Sequence, residues 1–199
     1  MKLKDIRIGF AVTGSFCTFS KILPIMKDLT NKGAIVQPIF SPATVSEDTR
    51  FFRAQDFAEQ VSEITGHSIW KTLNEVEPIG PKKMLDLLVV APCTGNTLGK
   101  LSRGIIDTPV TMAVKSHLRN GRPVVLAIST NDGLSGSAEN LGILLNRKHY
   151  YFVPFGQDDS VSKPNSLVAH MDQIPLACEM ALDGAQLQPI LAPYGGVCH

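Results

Sequence analysis

Cysteine is scarce in this chain, and its four copies, Cys17, Cys93, Cys178 and Cys198, stand far apart. No CxxC pair and no CxxC…CxxC array is present, which excludes the usual spacing of a structural zinc site and points to reduced thiols. Charge is also sparse and balanced. Lys and Arg together number 19 against 18 Asp and Glu, a formal net charge of +1, with no basic run and no basic stripe interleaved with aromatics. A nucleic-acid partner, whose phosphates demand a concentrated positive face, is therefore not expected. No apolar run approaches the roughly 18 residues that span a bilayer, and no charged start leads into a long apolar core. A cytoplasmic protein with a small-molecule ligand is the expectation. Neither HxH nor HExxH occurs among His67, His117, His149, His170 and His199, so solvent-facing or capping roles are expected for all five.

What the chain does have is 44% hydrophobic residues over 199 positions, enough for one α/β core with no composition shift to mark a second domain. Residues 1–199 are read as a single domain, with 188–199 an irregular tail rich in proline and glycine. Short apolar runs at Ile6–Val12, Ile35–Phe40, Leu87–Ala91, Val124–Ile128 and Tyr150–Phe155 read as strands, and helical patterns fall between them. Leu87-Leu88-Val89-Val90 lacks polar alternation, as a strand covered on both faces should, and Pro92 is expected to end its pairing. The alternation predicts an α/β fold: a doubly wound parallel sheet, a flavodoxin- or Rossmann-like three-layer sandwich.

Helices are expected over Phe16–Asn31, with Pro24 implying a kink or late start, and after Ser46, whose side chain would cap a helix ending at Gly66. Further helices are expected near Thr97–Leu101, Pro109–Arg119, Ser137–Arg147 and Leu167–Leu182. Residues Ser68–Lys83 carry no clear pattern, and Trp70 within them is assigned to the core.

Polar loops follow the predicted strands at what would be one edge of the sheet, where open α/β sheets bind ligands. After the first comes Thr13-Gly14-Ser15, where glycine permits close approach and a helix start offers free N–H groups to a phosphate; a plain helix cap is the competing reading. Gly9 and Gly14 do not have GxGxxG spacing, and no Gly-Lys-Ser/Thr is present, so classical dinucleotide and Walker sites are set aside. Ser41-Pro42-Ala43-Thr44, Thr94-Gly95-Asn96-Thr97 and Ser129-Thr130-Asn131-Asp132-Gly133 complete a set of four loops.

Ala91-Pro92-Cys93-Thr94-Gly95-Asn96-Thr97, then Lys100 and Gly104-Ile105-Ile106-Asp107, resembles the APxxANTxxKxxxGxxD segment of the flavoprotein family that contains FMN-dependent cysteine decarboxylases and flavin prenyltransferases. The resemblance extends from Ile6 to about Gly184. It implies FMN held by Thr13, Gly14, Ser15, Ser41, Ala43, Thr94, Asn96, Thr97, Ser129 and Thr130, no metal, and a homo-oligomer. Two departures stand out. The position where the cysteine decarboxylases carry a catalytic histidine falls on Pro78, and their PxMNxxMW clamp is replaced by Ala127-Ile128-Ser129-Thr130-Asn131-Asp132-Gly133-Leu134, which keeps only the asparagine. Cysteine decarboxylation is thus not expected, and no catalytic base is assigned.

Within the family the chain resembles the branch that serves as one half of a two-chain oxidoreductase acting on a small dicarboxylate, with NAD(P) expected on a partner that resembles nucleotide-dependent dehydrogenases. Lys100, Arg103 and Lys115 are the candidate cations for the substrate carboxylates, each also readable as a solvated surface charge. A non-catalytic chain that binds flavin, substrate or partner is the competing reading. Cys93 is read as either a small buried neighbour of the ligand loop or a reactive thiol.

Overall fold

The computed structural model describes residues 2–191. Its elements run β1 (Arg7–Val12), α1 (Phe19–Asn31), β2 (Ile35–Phe40), α2 (Pro42–Ser46), α3 (Ala54–Thr65), α4 (Leu73–Val76), β3 (Leu87–Cys93), α5 (Gly95–Arg103), α6 (Pro109–Leu118), β4 (Val124–Thr130), α7 (Ala138–Leu145), β5 (Tyr150–Phe152), β6 (Phe155–Gly156), β7 (Leu167–Ala169) and α8 (Ile174–Leu182). Five strands pair in parallel in the order β2-β1-β3-β4-β5, the flavodoxin-like winding, with every residue of β3 buried. Winding reverses between β1 and β3, so a crevice opens beyond their carboxyl ends. Helix α1 packs against both α3 and α8, while α4 packs on α6 and α5 on α7.

Several expectations are corrected. The sheet is not wholly parallel: β4 forks, with Val124–Leu126 beside β5 and Ser129–Thr130 antiparallel to β7, which in turn pairs antiparallel with β6. Leu167–Ala169 is therefore a strand and not a helix start, and it carries the chain back to the top of β4. Pro92 does not end β3, which runs on to Cys93 across a register shift. Ser46 caps nothing; it closes α2, and α3 begins eight residues later at Ala54, whose N–H is taken by Asp48 Oδ1 at 2.8 Å. Gly66 does end α3, with φ of 69°.

The reason for the late start of α3 is aromatic packing. Phe57 stacks on Phe19 with ring centroids 4.2 Å apart and on Phe40 at 5.5 Å, and Phe52 meets it edge-on at 5.5 Å. Each buried ring contributes roughly 1.5–3 kcal/mol, so Phe52 is drawn inward from an extended segment and Phe51 is left outside. Pro24 lies inside α1 without ending it, because the carbonyl it leaves unpaired belongs to exposed Ser20. Residues 68–83 are ordered by a capping box between Thr72 and Glu75, and Trp70 is half-buried, bonded through its backbone to Pro38 and Phe40. The expected irregular tail begins otherwise: Phe155 N–H donates to Ile190 O at 3.0 Å, and Leu191 bridges Phe155. The rest of the tail, with Cys198 and His199, lies outside the described residues.

The amino end of the sheet is clamped by ions. Arg7 donates to both oxygens of Asp86 at 2.9 and 2.7 Å, and Arg122 adds a third contact at 3.1 Å, tying the starts of β1, β3 and β4. Hydrogen bonding from Arg7 holds the Asp86 carboxyl below its usual range.

His117 departs from the expected surface role. It is fully buried in α6, and its Nε2 stands 3.1 Å from Pro123 O, which fixes the tautomer with Nε2 as donor. Burial pushes its pKa down to about 4. An unfolded chain binds a proton at this histidine near pH 6.5 while the folded one resists until about pH 4, so stability present above 6.5 is lost as pH falls through that window. We expect about 1.4 kcal/mol of loss per pH unit from this group. Urea unfolding at pH 7 and pH 5 should show that slope, and His117→Gln should remove it while keeping a donor for Pro123 O; equal slopes in the two proteins would contradict the assignment.

Candidate functional site

Three loops at the carboxyl edge are sewn together by side-chain hydroxyls. Thr13, buried after β1, donates to Pro92 O at 2.7 Å and accepts from Thr94 N–H at 3.1 Å, which fastens the β1 loop to the β3 loop. Ser15 Oγ lies 2.9 Å from Ser129 Oγ, and Thr18 Oγ1 lies 3.1 Å from both, so the β1 loop also reaches across β3 to the end of β4. Gly95 closes the third side. A Cβ built there would stand 2.6 Å from Thr130 Oγ1 and Ser137 Oγ and 2.7 Å from Asp132 Oδ1, so only glycine lets the start of α5 nest against the β4 loop.

These contacts border an open cavity of about 520 Å³, within the size range of small-molecule and cofactor sites. Gly14, Ser15, Thr94, Asn96, Ser129 and Thr130 line it, so six of the ten residues expected at the cofactor meet in one space. The other four do not line it. Thr13 is spent on the loop junction, Thr97 N–H is the donor to the capping Thr94 Oγ1 at 3.3 Å, and Ser41 caps α2 while its N–H and the Thr44 hydroxyl both donate to Val12 O. Ala43 is an exposed neighbour of Gly14 and lies outside the lining.

The expected substrate cations lie elsewhere. Lys100 pairs with Asp107 at 2.9 Å and Arg103 with Glu139 at 2.6 Å, and Lys100 and Lys115 border a separate cavity of about 190 Å³ beneath Ile105 and Tyr150. Their positions on α5 and α6 face away from the sheet edge, which sequence proximity to the Asn-Thr turn could not reveal.

Asp132 of the β4 loop also lines the cavity, and residues that reading by strand and loop missed complete the wall: Phe16, Cys17, Phe51, Asp158, Lys163, Ser166 and Val168. The last four come from the segment around β7, concealed because a three-residue antiparallel strand leaves too short a pattern to read. Phe51 could have been flagged by its neighbour Phe52, since only one of the pair can enter the core. Cys93 is fully buried within β3, and burial pushes its thiol pKa far up, so it is the inert neighbour; Cys17 is the exposed thiol at the cavity. His67 is exposed with Nδ1 2.7 Å from Thr65 O, and no described histidine lines the cavity.

The residues present suit a phosphorylated planar group. Hydroxyls and the first, intrahelically unpaired N–H groups of α5 offer donors at a positive helix end, and Phe16, Phe51 and Val168 offer apolar surface for a ring.

The Flavoprotein family model matches residues 1–149. The chain belongs to the Flavoprotein family. It is 46% identical to the dipicolinate synthase B subunit of Bacillus subtilis (strain 168) over 95% of its own length and 94% of that protein. The crystal structure of the dipicolinate synthase B subunit from Bacillus halodurans superposes with a TM-score of 0.89 at 42% identity, covering 97% of this chain and 99% of that one. The FMN-dependent cysteine decarboxylase SpaF shares the fold, with a TM-score of 0.66 at 15% identity over 92% of this chain and 99% of that one. The family model covers residues 1–149, and the similarity to the dipicolinate synthase B subunits extends over nearly the whole chain.

The Thr13 junction carries a test. Thr13→Val removes the donor to Pro92 O and the acceptor for Thr94 N–H without changing size, and should cost about 1–3 kcal/mol in urea unfolding. Thr13→Ser should recover most of it. Unchanged stability in the valine variant would show that the loops hold together without this side chain.

Proposed function

We propose that this chain binds FMN in the loop cavity and acts as the B subunit of a dipicolinate synthase. Together with an A subunit that carries NAD(P), it would oxidise a dihydrodipicolinate-type precursor to pyridine-2,6-dicarboxylate in the mother-cell cytoplasm during sporulation. The observation that carries this reading is the 46% identity to a dipicolinate synthase B subunit across nearly the full length of both chains. Family membership supports the flavin, and the cavity chemistry agrees with it.

The reaction removes two electrons and two protons from the ring as it becomes aromatic. FMN, when bound, supplies a two-electron acceptor. The chain's own contribution is positional. Ser15 and the N–H groups of Gly95 and Asn96 would take the phosphate, Ser129, Thr130 and Thr94 would take ribityl hydroxyls, and Phe16, Phe51 and Val168 would exclude water from the ring. Thr13, Ser41, Ala43 and Thr97 act on this reading by positioning the loops. Lys100, Arg103 and Lys115, placed outside the cavity, are better suited to a partner chain or a second copy in a homo-oligomer than to substrate.

A second reading, a chain that binds flavin or substrate without chemistry of its own, is favoured by one observation: no described histidine lines the cavity. Colour separates the two. A protein whose bound FMN is bleached by the precursor and that gains dipicolinate-forming activity with its A subunit supports the first; a colourless protein that ignores FMN, or a yellow one whose flavin stays oxidised under those conditions, supports the second.

The cofactor assignment predicts that Ser15→Asp, by placing negative charge where a phosphate sits, weakens FMN binding by at least tenfold, a loss of about 1.4 kcal/mol, while leaving the thermal transition in place. Asn96→Leu should likewise lower affinity more than stability. Titration curves identical to those of the unaltered chain would overturn the assignment.

A further inference from the structure

The separate cavity of about 190 Å³ lies between the carboxyl end of α5, the last turns of α6 and the start of β5, and its lining shares no residue with the loop cavity. Leu101, Val114 and Leu118 give it an apolar wall. Lys100, Lys115 and Arg147 stand around that wall, and no carboxylate lines it. Like charges gathered on a low-dielectric surface repel one another until an anion arrives.

Neutralisation of the three cations is incomplete. Lys100 is met by both oxygens of Asp107 at 2.9 Å. Arg147 donates to Leu101 O at 3.1 Å and Ser102 O at 2.6 Å, carbonyls at the end of α5, which fixes its guanidinium without cancelling its charge. Neither Arg147 nor Lys115 has an acidic partner among the described residues.

Tyr150 supplies an independent observation. As the first residue of β5 it is held beside Val124 and is half-buried. Burial pushes its phenol up to about 12, with Arg147 close enough to pull the other way, so the hydroxyl stays protonated and is a donor next to a guanidinium. A tyrosine placed this way ordinarily finds a partner for its O–H. Here the hydroxyl has none among the described residues and is not sealed from solvent, so a ligand can reach it.

A molecule that satisfies this cavity must be anionic for Lys115 and Arg147, an acceptor for the phenol, and apolar enough to lie on leucine and valine. Sulfate or phosphate meets the first two demands and wastes the third; a neutral hydrocarbon does the reverse. We propose that this cavity is a second ligand site, for a small organic acid whose carboxylates meet Lys115, Arg147 and the Tyr150 hydroxyl while its apolar body lies against Leu101, Val114 and Leu118. The volume is below the usual range for whole cofactors and suits a molecule of a single ring. The site calls for neither FMN nor a dihydrodipicolinate-type precursor, so it stands or falls apart from the function proposed for the loop cavity.

Calorimetric titration of the full chain with benzene-1,3-dicarboxylate tests this against two other probes. Sulfate carries the charge without the ring, and benzene-1,3-dicarboxamide carries the ring without the charge. The dicarboxylate should bind at least about tenfold more tightly than either. Tyr150→Phe and Lys115→Met should each weaken it by about tenfold, as the loss of one charge-assisted hydrogen bond does. Thermal transitions should stay within a few degrees, because Lys115 is exposed and the Tyr150 hydroxyl has no partner to lose. Ser15→Asp, which acts on the loop cavity, should leave the affinity unchanged. Light scattering along the titration should show constant mass. Sulfate or the dicarboxamide binding as tightly as the dicarboxylate, no binding of the dicarboxylate, or affinity indifferent to Tyr150→Phe and Lys115→Met would overturn the site. So would loss of binding in Ser15→Asp, which would move the probe to the loop cavity, or a falling mass, which would mean that the probe displaces an acidic side chain of a second copy.

Discussion

One buried hydroxyl, that of Thr13, holds the functional end of this molecule together. By donating to Pro92 O and accepting from Thr94 N–H it joins the turns after β1 and β3, the two strands between which the winding reverses. A crevice there is a topological consequence of the strand order, but a crevice alone is a gap between diverging loops. The Thr13 junction, the Ser15–Ser129 contact and the close approach of Gly95 to the β4 loop turn the gap into a walled cavity. Loop hydroxyls that bond to one another are also pre-oriented, so a ligand that takes their remaining valences meets little further ordering cost.

The two ends of the sheet are built on opposite principles. At the amino end, Asp86 satisfies two arginines and the strand starts are closed by charge pairing. The carboxyl end is open, with polar groups that have neighbours but spare hydrogen-bonding capacity. Apolar packing between these ends, above all the Phe19–Phe57–Phe40 stack, sets where α3 begins and leaves Phe51 free to edge the cavity. Family membership and full-length similarity to dipicolinate synthase B subunits agree with a site at the open end.

The first four strands and the winding are legible because buried parallel strands are short, apolar and separated by helical patterns, and Ile35–Phe40 is bounded to the residue; the expected strand Tyr150–Phe155 instead divides into β5, parallel to β4, and β6, antiparallel to β7. The polar loops were legible as sites for the same reason, since each follows a strand. What failed was local. Ser46 looked like a cap because hydroxyls usually are, yet the aromatic cluster decided the helix start. Leu167–Ala169 looked helical because three residues cannot establish a period of two. That single strand carries Ser166 and Val168 to the cavity and brings Asp158 and Lys163 within reach of it, so the error concealed one wall of the site. Adjacency to the Asn-Thr turn suggests Lys100, Arg103 and Lys115, but on α5 and α6 none of the three lines the loop cavity. A lone histidine with no partner in the sequence reads as a surface residue, yet the His117 ring fills a core position and satisfies the Pro123 carbonyl.

If the three loops form a single ligand site, they must respond together. Hydrogen exchange measured peptide by peptide, with and without saturating FMN, tests this most directly. The account predicts slowed exchange in segments 13–18, 94–98 and 129–133 at the same ligand concentration, with the amino-end segment around Asp86 unchanged. Protection confined to one loop, or appearing only outside all three, would contradict it.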